Sequence, residues 1–201
     1  MKKDNKSHGV QLLIRCVVRD PDGKIITDTG EKRARSFVLQ FLTFIYAMGR
    51  ATDQLAKATD GTNDPLYTDS MLIERAFRIM AGVGEDPWGV VVGTGDTAAD
   101  NADFTLETQL TEGVGAGNIT HGSVITVNAA VVGANVDFIV ERAFSNLTGS
   151  EITVKEAGIY TRWGFLAENY YHCIIRDVLS PAVDVPDKCS LTVIYTVRTT
   201  V

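Results

Sequence analysis

Apolar and polar residues alternate with a period of two at the end of the chain. Leu191, Val193, Tyr195 and Val197 fall on one side, and Thr192, Thr196 and Arg198 on the other, as in a half-buried β-strand. A second apolar, β-branched run extends from Tyr170 to Arg176. Between the two lies Ser180-Pro181-Ala182-Val183-Asp184-Val185-Pro186, where each proline removes a backbone donor and fixes φ, so a helix is excluded. The two runs are expected to pair as a terminal hairpin that closes a sheet.

The same reading places elements along the rest of the chain. Gly9 to Arg19 is apolar, Asp20-Pro21-Asp22-Gly23-Lys24 is a turn in which Pro presets φ and Gly accepts a positive one, and Ile25-Ile26-Thr27 returns, predicting an N-terminal β-hairpin. Phe37 to Met48 reads as a helix, with Ser36 as N-cap and Gly49 placed to end it. Only Gln40 and Thr43 are clearly polar within it, so most of its circumference needs cover. Two covers fit equally: the sheet together with the 50–70 loop, or a subunit contact.

Arg50 to Asp69 is polar and reads as a long loop with a short helix near Asp53 to Lys57. Met71 to Met80 reads as strand ahead of helix, and strands are expected at Trp88 to Val92, Ser123 to Val132, Asn135 to Phe144 and Ile152 to Thr161. Gly93 to Asp103 reads as a loop, Phe104 to Leu110 as a helical turn or an edge, Gly113 to Gly117 as a flexible spot, and Asn146 to Ser150 as a turn. The fold class that follows is mainly β: an antiparallel β-sandwich, jelly-roll or immunoglobulin-like, with an N-terminal β-hairpin and one apolar α-helix. A flexible arm at 1–8, a hairpin-helix-loop assembly element at 9–70 and a sandwich body at 71–201 make up the organisation, the last two as one compact domain.

Composition narrows the function classes. The chain has 201 residues, 45% of them hydrophobic, enough for one well-buried core. Its net charge is −6, and its bases are scattered apart from Lys2-Lys3 and Lys32-Arg33-Ala34-Arg35, which argues against a nucleic-acid partner. The longest apolar run, Phe37 to Met48, spans about 18 Å as a helix, too short for a bilayer, so no membrane insertion is expected. The polar N-terminus lacks the apolar core of a signal peptide, which suits synthesis in a cytoplasm. Cys16, Cys173 and Cys189 read as buried thiols of a reducing compartment, although Cys173 and Cys189 could meet across the terminal hairpin. Without a secretory signal, the glycosylation-type triplets at Asn5, Asn118 and Asn146 read as chance.

Candidate chemistry is sparse. Gly93-Thr-Gly95-Asp-Thr-Ala98 follows Val90-Val91-Val92 and matches the start of a dinucleotide fingerprint, but the acidic stretch behind it offers no apolar helix face, so a tight loop is expected. Asp96, Asp100 and Glu107 take positions one, five and twelve of a calcium loop, whereas Ala98 and Asn101 replace the ligand at three and the glycine at six; a solvated acidic loop is the expectation, and a loosely held cation stays open. His8, His121 and His172 lack metal-site spacing. A triad built on His121 and Ser123 has no nucleophile elbow to mark it, and His172 reads as a strand residue with a satisfied ring. Glu151 and Glu156 flank a strand and read as exposed or turn-adjacent. Trp88, Tyr160, Trp163, Phe165, Tyr170 and Tyr171 could line a sugar groove, with Trp163-Gly164-Phe165-Leu166 in a loop, yet such aromatics more often serve a core or a subunit interface. No catalytic residue, metal ligand or cofactor site is predicted.

Three segments carry a resemblance: Glu151-Ile-Thr-Val-Lys-Glu-Ala-Gly-Ile-Tyr160, Ile175-Arg-Asp-Val-Leu-Ser-Pro181 and Ser190-Leu-Thr-Val-Ile-Tyr-Thr-Val197. Their order, together with Val92-Gly-Thr-Gly-Asp-Thr-Ala98, resembles virion structural proteins of tailed bacteriophages, tail-fibre and tail-associated proteins above all. It covers Trp88 to Val201. The resemblance implies a non-enzymatic virion subunit, tail-associated, that assembles with copies of itself and other virion proteins; capsid decoration and a lectin-like glycan-binding module are the alternatives. In the first half, where the resemblance stops, Phe37, Phe41, Phe44 and Ile45 are the expected contact residues, with Trp163 and Phe165 from the second.

Overall fold

The computed structural model describes residues 9–34, 37–50, 54–66, 77–165 and 168–200. The expected arm at 1–8, the Ser36 cap and most of the strand expected from Met71 lie outside these residues. β1 (Gly9–Arg19) leads through the 20–24 turn to β2 (Ile25–Asp28) and β3 (Lys32–Arg33), then α1 (Leu39–Arg50), β4 (Gln54–Lys57) and β5 (Asn63–Leu66). After them come β6 (Gly89–Gly93), β7 (Thr111–Glu112), β8 (Asn118–Val132), β9 (Asn135–Ser145), β10 (Ile152–Phe165), β11 (Glu168–Val185) and β12 (Ser190–Thr200). The molecule is mainly β, with one helix among the described residues.

Seven strands form the larger sheet, in the order β2-β1-β12-β9-β8-β7, with β3 also paired to β1. A three-stranded sheet runs β11-β10-β6, and β4 pairs with β5. β1 and β2 are antiparallel around a turn in which Asp20 Oδ1 accepts the Asp22 and Lys24 amides, at 3.0 and 2.9 Å, and Gly23 takes φ 82°. On the inner face of the larger sheet, Ile14, Tyr195, Val140 and Thr126 form one cross-strand row. One hydrophobic cluster draws on both larger sheets and on α1: it includes Val18, Leu191, Val193 and Phe144 from one sheet, Val91, Val154, Ile159 and Cys173 from the other, and Phe44 from the helix. Cys16, Cys173 and Cys189 are free thiols, all buried; burial raises the Cys16 thiol to about 12.

Five expectations change. The two terminal runs do not pair with each other. β11 pairs with β10, and β12 lies between β1 and β9, because the turn after Pro186 carries the chain from one sheet to the other. The proline-bearing connector is itself strand up to Val185. Val178 pairs with Glu156 and Val183 with Val154, so residues 179–182 bulge opposite Lys155 alone and Pro181 needs no ladder donor there. The short helix expected near Asp53 is strand β4, held by an Ala58–Thr62 turn with Asp60 and Gly61 at its tip. Trp163 sits in strand β10 instead of a loop, and α1 continues through Gly49 to Arg50.

Candidate functional site

The densest polar constellation is built on a residue whose charge alone, in sequence, places it at the surface. Glu156, expected to be exposed or turn-adjacent, is fully buried within β10. Its Oε1 accepts the Thr108 and Gly95 amides at 2.7 and 3.2 Å; its Oε2 accepts the Glu107 amide at 3.0 Å and Arg176 Nε at 3.1 Å. Arg176, on β11, also donates to Asp103 Oδ2 at 2.6 Å and to the Thr97 carbonyl at 3.1 Å. Glu107 in turn accepts the Thr97 amide and hydroxyl at 2.8 and 2.7 Å, which holds its carboxyl below the usual range. The arrangement clamps the 93–108 loop onto β10 and β11.

This clamp explains two sequence signals. A Cβ on Gly93 would run into the Thr108 carbonyl oxygen and one on Gly95 into Glu107 Cβ, and they would lie 2.6 and 2.7 Å from Glu156 Oε1, so the Gly-Thr-Gly loop is glycine-rich for close approach to the 107–108 backbone and to the Glu156 carboxylate. Of the acidic residues considered for a cation, Glu107 stands 3.9 Å from the Arg176 guanidinium, Asp96 pairs with Lys155 at 2.8 Å, and Asp100 accepts the Ala102 amide at 2.8 Å. Among the described residues no group of three or more His, Cys, Asp or Glu is placed to hold a metal ion. Gly158 allows a second close approach, since a Cβ there would stand 2.5 Å from the Ile175 carbonyl oxygen.

Arg142 organises the opposite side of β6. It is buried, and its five N–H groups reach five carbonyls: Gly122 at 2.7 Å, Trp88 at 3.2 Å, Val90 at 3.0 Å, Gly82 at 3.0 Å and Glu85 at 2.6 Å. Burial lowers its pKa to about 10, against the pull of Glu112, Glu85 and Asp86, so it stays charged at neutral pH. Beside it, His121 Nδ1 faces the Glu112 carboxylate at 3.0 Å and the Ile119 carbonyl at 2.9 Å; two acceptors assign the proton to Nδ1. A β-bulge between His121 and Val124 turns Ser123 to solvent while the imidazole stays buried, so the two do not form a nucleophile pair. His172 Nδ1 donates to the Lys57 carbonyl at 3.2 Å, and its ring packs on Phe44. Burial depresses both imidazoles. Asn146 is buried where the chain crosses between sheets: its Nδ2 donates to the Ser150 and Val185 carbonyls at 2.7 and 2.8 Å, so in the folded chain it is inaccessible to glycosylation.

The expected contact residues separate into two groups. Phe44 and Trp163 are core, with ring centroids 5.3 Å apart, and Phe44 also meets Phe77. Phe37 and Phe41 stack at 4.2 Å and are half-buried. Ile45 is exposed, and the side chain of Phe165 lies outside the described part. Trp88 and Tyr160 are buried too, so these rings do not form an open stacking groove. What the sequence signal missed is how far α1 is left uncovered: Leu39, Leu42, Ile45, Tyr46 and Met48 are all between 46 and 63% exposed. A cavity of about 720 Å³ opens between β3 and the bulge of β11, lined by Lys32, Arg33, Asp96, Asp177 and Pro181 among others; Lys32 Nζ spans it to the Ser180 carbonyl at 3.1 Å.

No family model, no curated protein and no solved structure matches this chain. No helix among the described residues is long and apolar enough to cross a membrane.

Proposed function

We propose that this chain is a non-enzymatic structural subunit of a tailed-bacteriophage virion, tail-associated, that works by assembling with copies of itself and with other virion proteins. In this reading the two larger sheets form a β-sandwich body of jelly-roll or immunoglobulin-like type, entered through the β1–β2 hairpin. One observation carries the proposal: α1 buries Phe44 and Ala47 and leaves an apolar face of Leu39, Leu42, Ile45, Tyr46 and Met48 in solvent. The interior polar groups support it from the other direction. Glu156, Arg176 and Arg142 spend their hydrogen bonds on the chain's own loops, and His121 and His172 each hold a backbone carbonyl.

Light scattering on the purified chain tests the reading. Masses above the 21.8 kDa of one chain are expected, and Leu42→Glu with Ile45→Glu should reduce association at that face. A single 21.8 kDa species at every concentration overturns it.

A further inference from the structure

We infer that a small groove on the outer face of the larger sheet is a docking site for a lysine of the chain's own N-terminal segment, Lys2 or Lys3, with Glu31 and Glu141 as its counter-ions. The inference goes beyond the assembly reading and does not rest on it.

Because Ile14, Tyr195, Val140 and Thr126 face inward, the positions that alternate with them face outward. These form two cross-strand rows: Leu13, Thr196, Ile139 and Val127, then Arg15, Ile194, Glu141 and Ile125. A groove of about 190 Å³ opens on this face, lined by apolar Leu13, Ile139 and Ile194 and by the acids Glu31 and Glu141. A drug-sized ligand needs roughly 300–1,000 Å³, so this groove takes a single side chain. The charges around it do not balance. Arg15 is engaged by Asp28 through two nitrogens. Arg198 donates twice to Asp137, at 2.7 Å each, and reaches Glu31 only at 3.3 Å. Glu141, half-buried, has no hydrogen bond or ion pair with any described residue. A partly desolvated carboxylate without a counter-charge favours an incoming cation. Lysine suits an apolar lining with carboxylates beside it, since its four-carbon stem packs on aliphatic groups while its ammonium meets the acid.

The chain supplies such a lysine within reach. Residues 1–8, Met-Lys-Lys-Asp-Asn-Lys-Ser-His, carry three lysines against one aspartate. They meet the sheet at Gly9, which pairs with Thr200 at the start of β1. From there Leu13 lies about 13 Å and Arg15 about 20 Å along the strand, at roughly 3.3 Å per residue. Gly9 takes φ 144°, a conformation that glycine adopts readily and other residues do not, so the chain can turn back at that point. With two residues spent on the turn, Lys6 to Lys2 span about 13 Å, which sets Lys2 and Lys3 near the Leu13 row. A lysine stem then covers the remaining step to Glu141. Tethering at Gly9 holds the segment at a roughly millimolar effective concentration, ahead of the same segment on another copy. Opposite charge and reach together select the chain's own segment as the occupant.

Carbodiimide coupling, which joins a carboxylate to an amine in direct contact, tests this on the full chain, with isotope-labelled and unlabelled protein mixed in equal parts. Expected is a cross-link from Lys2 or Lys3 to Glu141 or Glu31 within one chain, its yield unchanged on dilution. Trypsin should also cut after Lys3 and Lys6 about fivefold faster in Glu31→Gln with Glu141→Gln than in the parent, because cutting follows the undocked population. The inference is overturned if no cross-link joins those lysines to those acids, or if the cross-links run chiefly between labelled and unlabelled chains. Equal cutting rates in a double variant that is folded by circular dichroism overturn it too. If the double variant does not fold, the cross-link in the parent decides alone. A parent chain that stays monomeric while giving the expected cross-link sinks the assembly reading and leaves this one standing.

Discussion

Around Glu156 and Arg142, buried charges meet donors and acceptors of the chain's own loops; along α1 and the distal half of β8, apolar side chains stand in solvent. The two regions use opposite materials for opposite ends. Ionic groups, costly to bury, are placed where many backbone partners offset the desolvation, and they fix loops that have little apolar content of their own. Apolar groups, cheap to bury, stand exposed on the described surface, where a partner could bury them. In the proposed reading the polar residues serve stability and the exposed apolar ones association, the reverse of what residue type alone suggests.

Removing Arg142 breaks the first half of this contrast most severely. In Arg142→Leu five carbonyls lose their donor inside the protein, and a loss of about 3–5 kcal/mol is expected, a large share of a typical domain's stability. Thermal unfolding should fall by about 10 °C. A loss under about 1 kcal/mol would mean that the carbonyls find water.

Glu156→Gln is gentler. The side chain keeps its shape, but whichever way the amide turns, its nitrogen faces donors: the Gly95 and Thr108 amides on one side, the Glu107 amide and Arg176 on the other. Arg176 keeps Asp103. Denaturant titration should show a loss of about 1–3 kcal/mol, and the 94–108 amides should exchange faster than the rest.

These two residues also mark how far the sequence could be read. β6, β9 and β12 were legible because their apolar runs have clear turns between them. Glu156 was misplaced because a lone carboxylate reads as surface, although it shares parity with Val154 and Tyr160, both buried; that parity was the available signal. The Gly-Thr-Gly loop and the Glu-x-Gly strand were each visible, but that they meet in space is a tertiary fact. Alternation likewise names a strand without naming its neighbour, so Tyr170 to Arg176 and Leu191 to Arg198 were joined by proximity in sequence, while the turn after Pro186 sends them to different sheets. The uncovered face of α1 was half legible: twelve mostly apolar residues demanded cover, and nothing in the chain said which side the sheet would take.

Acid should weaken the interior before it touches the surface pairs. Burial lowers the pKa of His121, with Arg142 adding to it, and burial lowers that of His172. The unfolded chain takes up protons near pH 6.5, where the folded one resists them, so stability is full above that pH and falls as pH drops through it toward the folded values. The carboxylates act lower: Asp28, held down to about 2 by Arg15, and Asp137, held down by Arg198, lose their contribution only in stronger acid. Urea midpoints should therefore decline between pH 7 and 5, and replacing His121 with Gln should flatten part of that decline. A flat profile across this range would place both imidazoles in solvent.

The smallest effect on stability is expected where the effect on association is largest. Leu42 is 63% exposed, and its replacement by Glu removes little buried area, so in the dilute monomer stability should change by less than about 0.5 kcal/mol. The helix position tolerates Glu, whose intrinsic propensity is close to that of Leu. Circular dichroism melts at low concentration, compared with the same melts at high concentration, separate the two roles. The parent should gain apparent stability with concentration because assembly favours the folded state, and Leu42→Glu should gain less. If the variant instead melts several degrees lower at both concentrations, Leu42 is packed within its own chain, and the division between a polar interior that stabilises and an apolar exterior that associates fails at this helix.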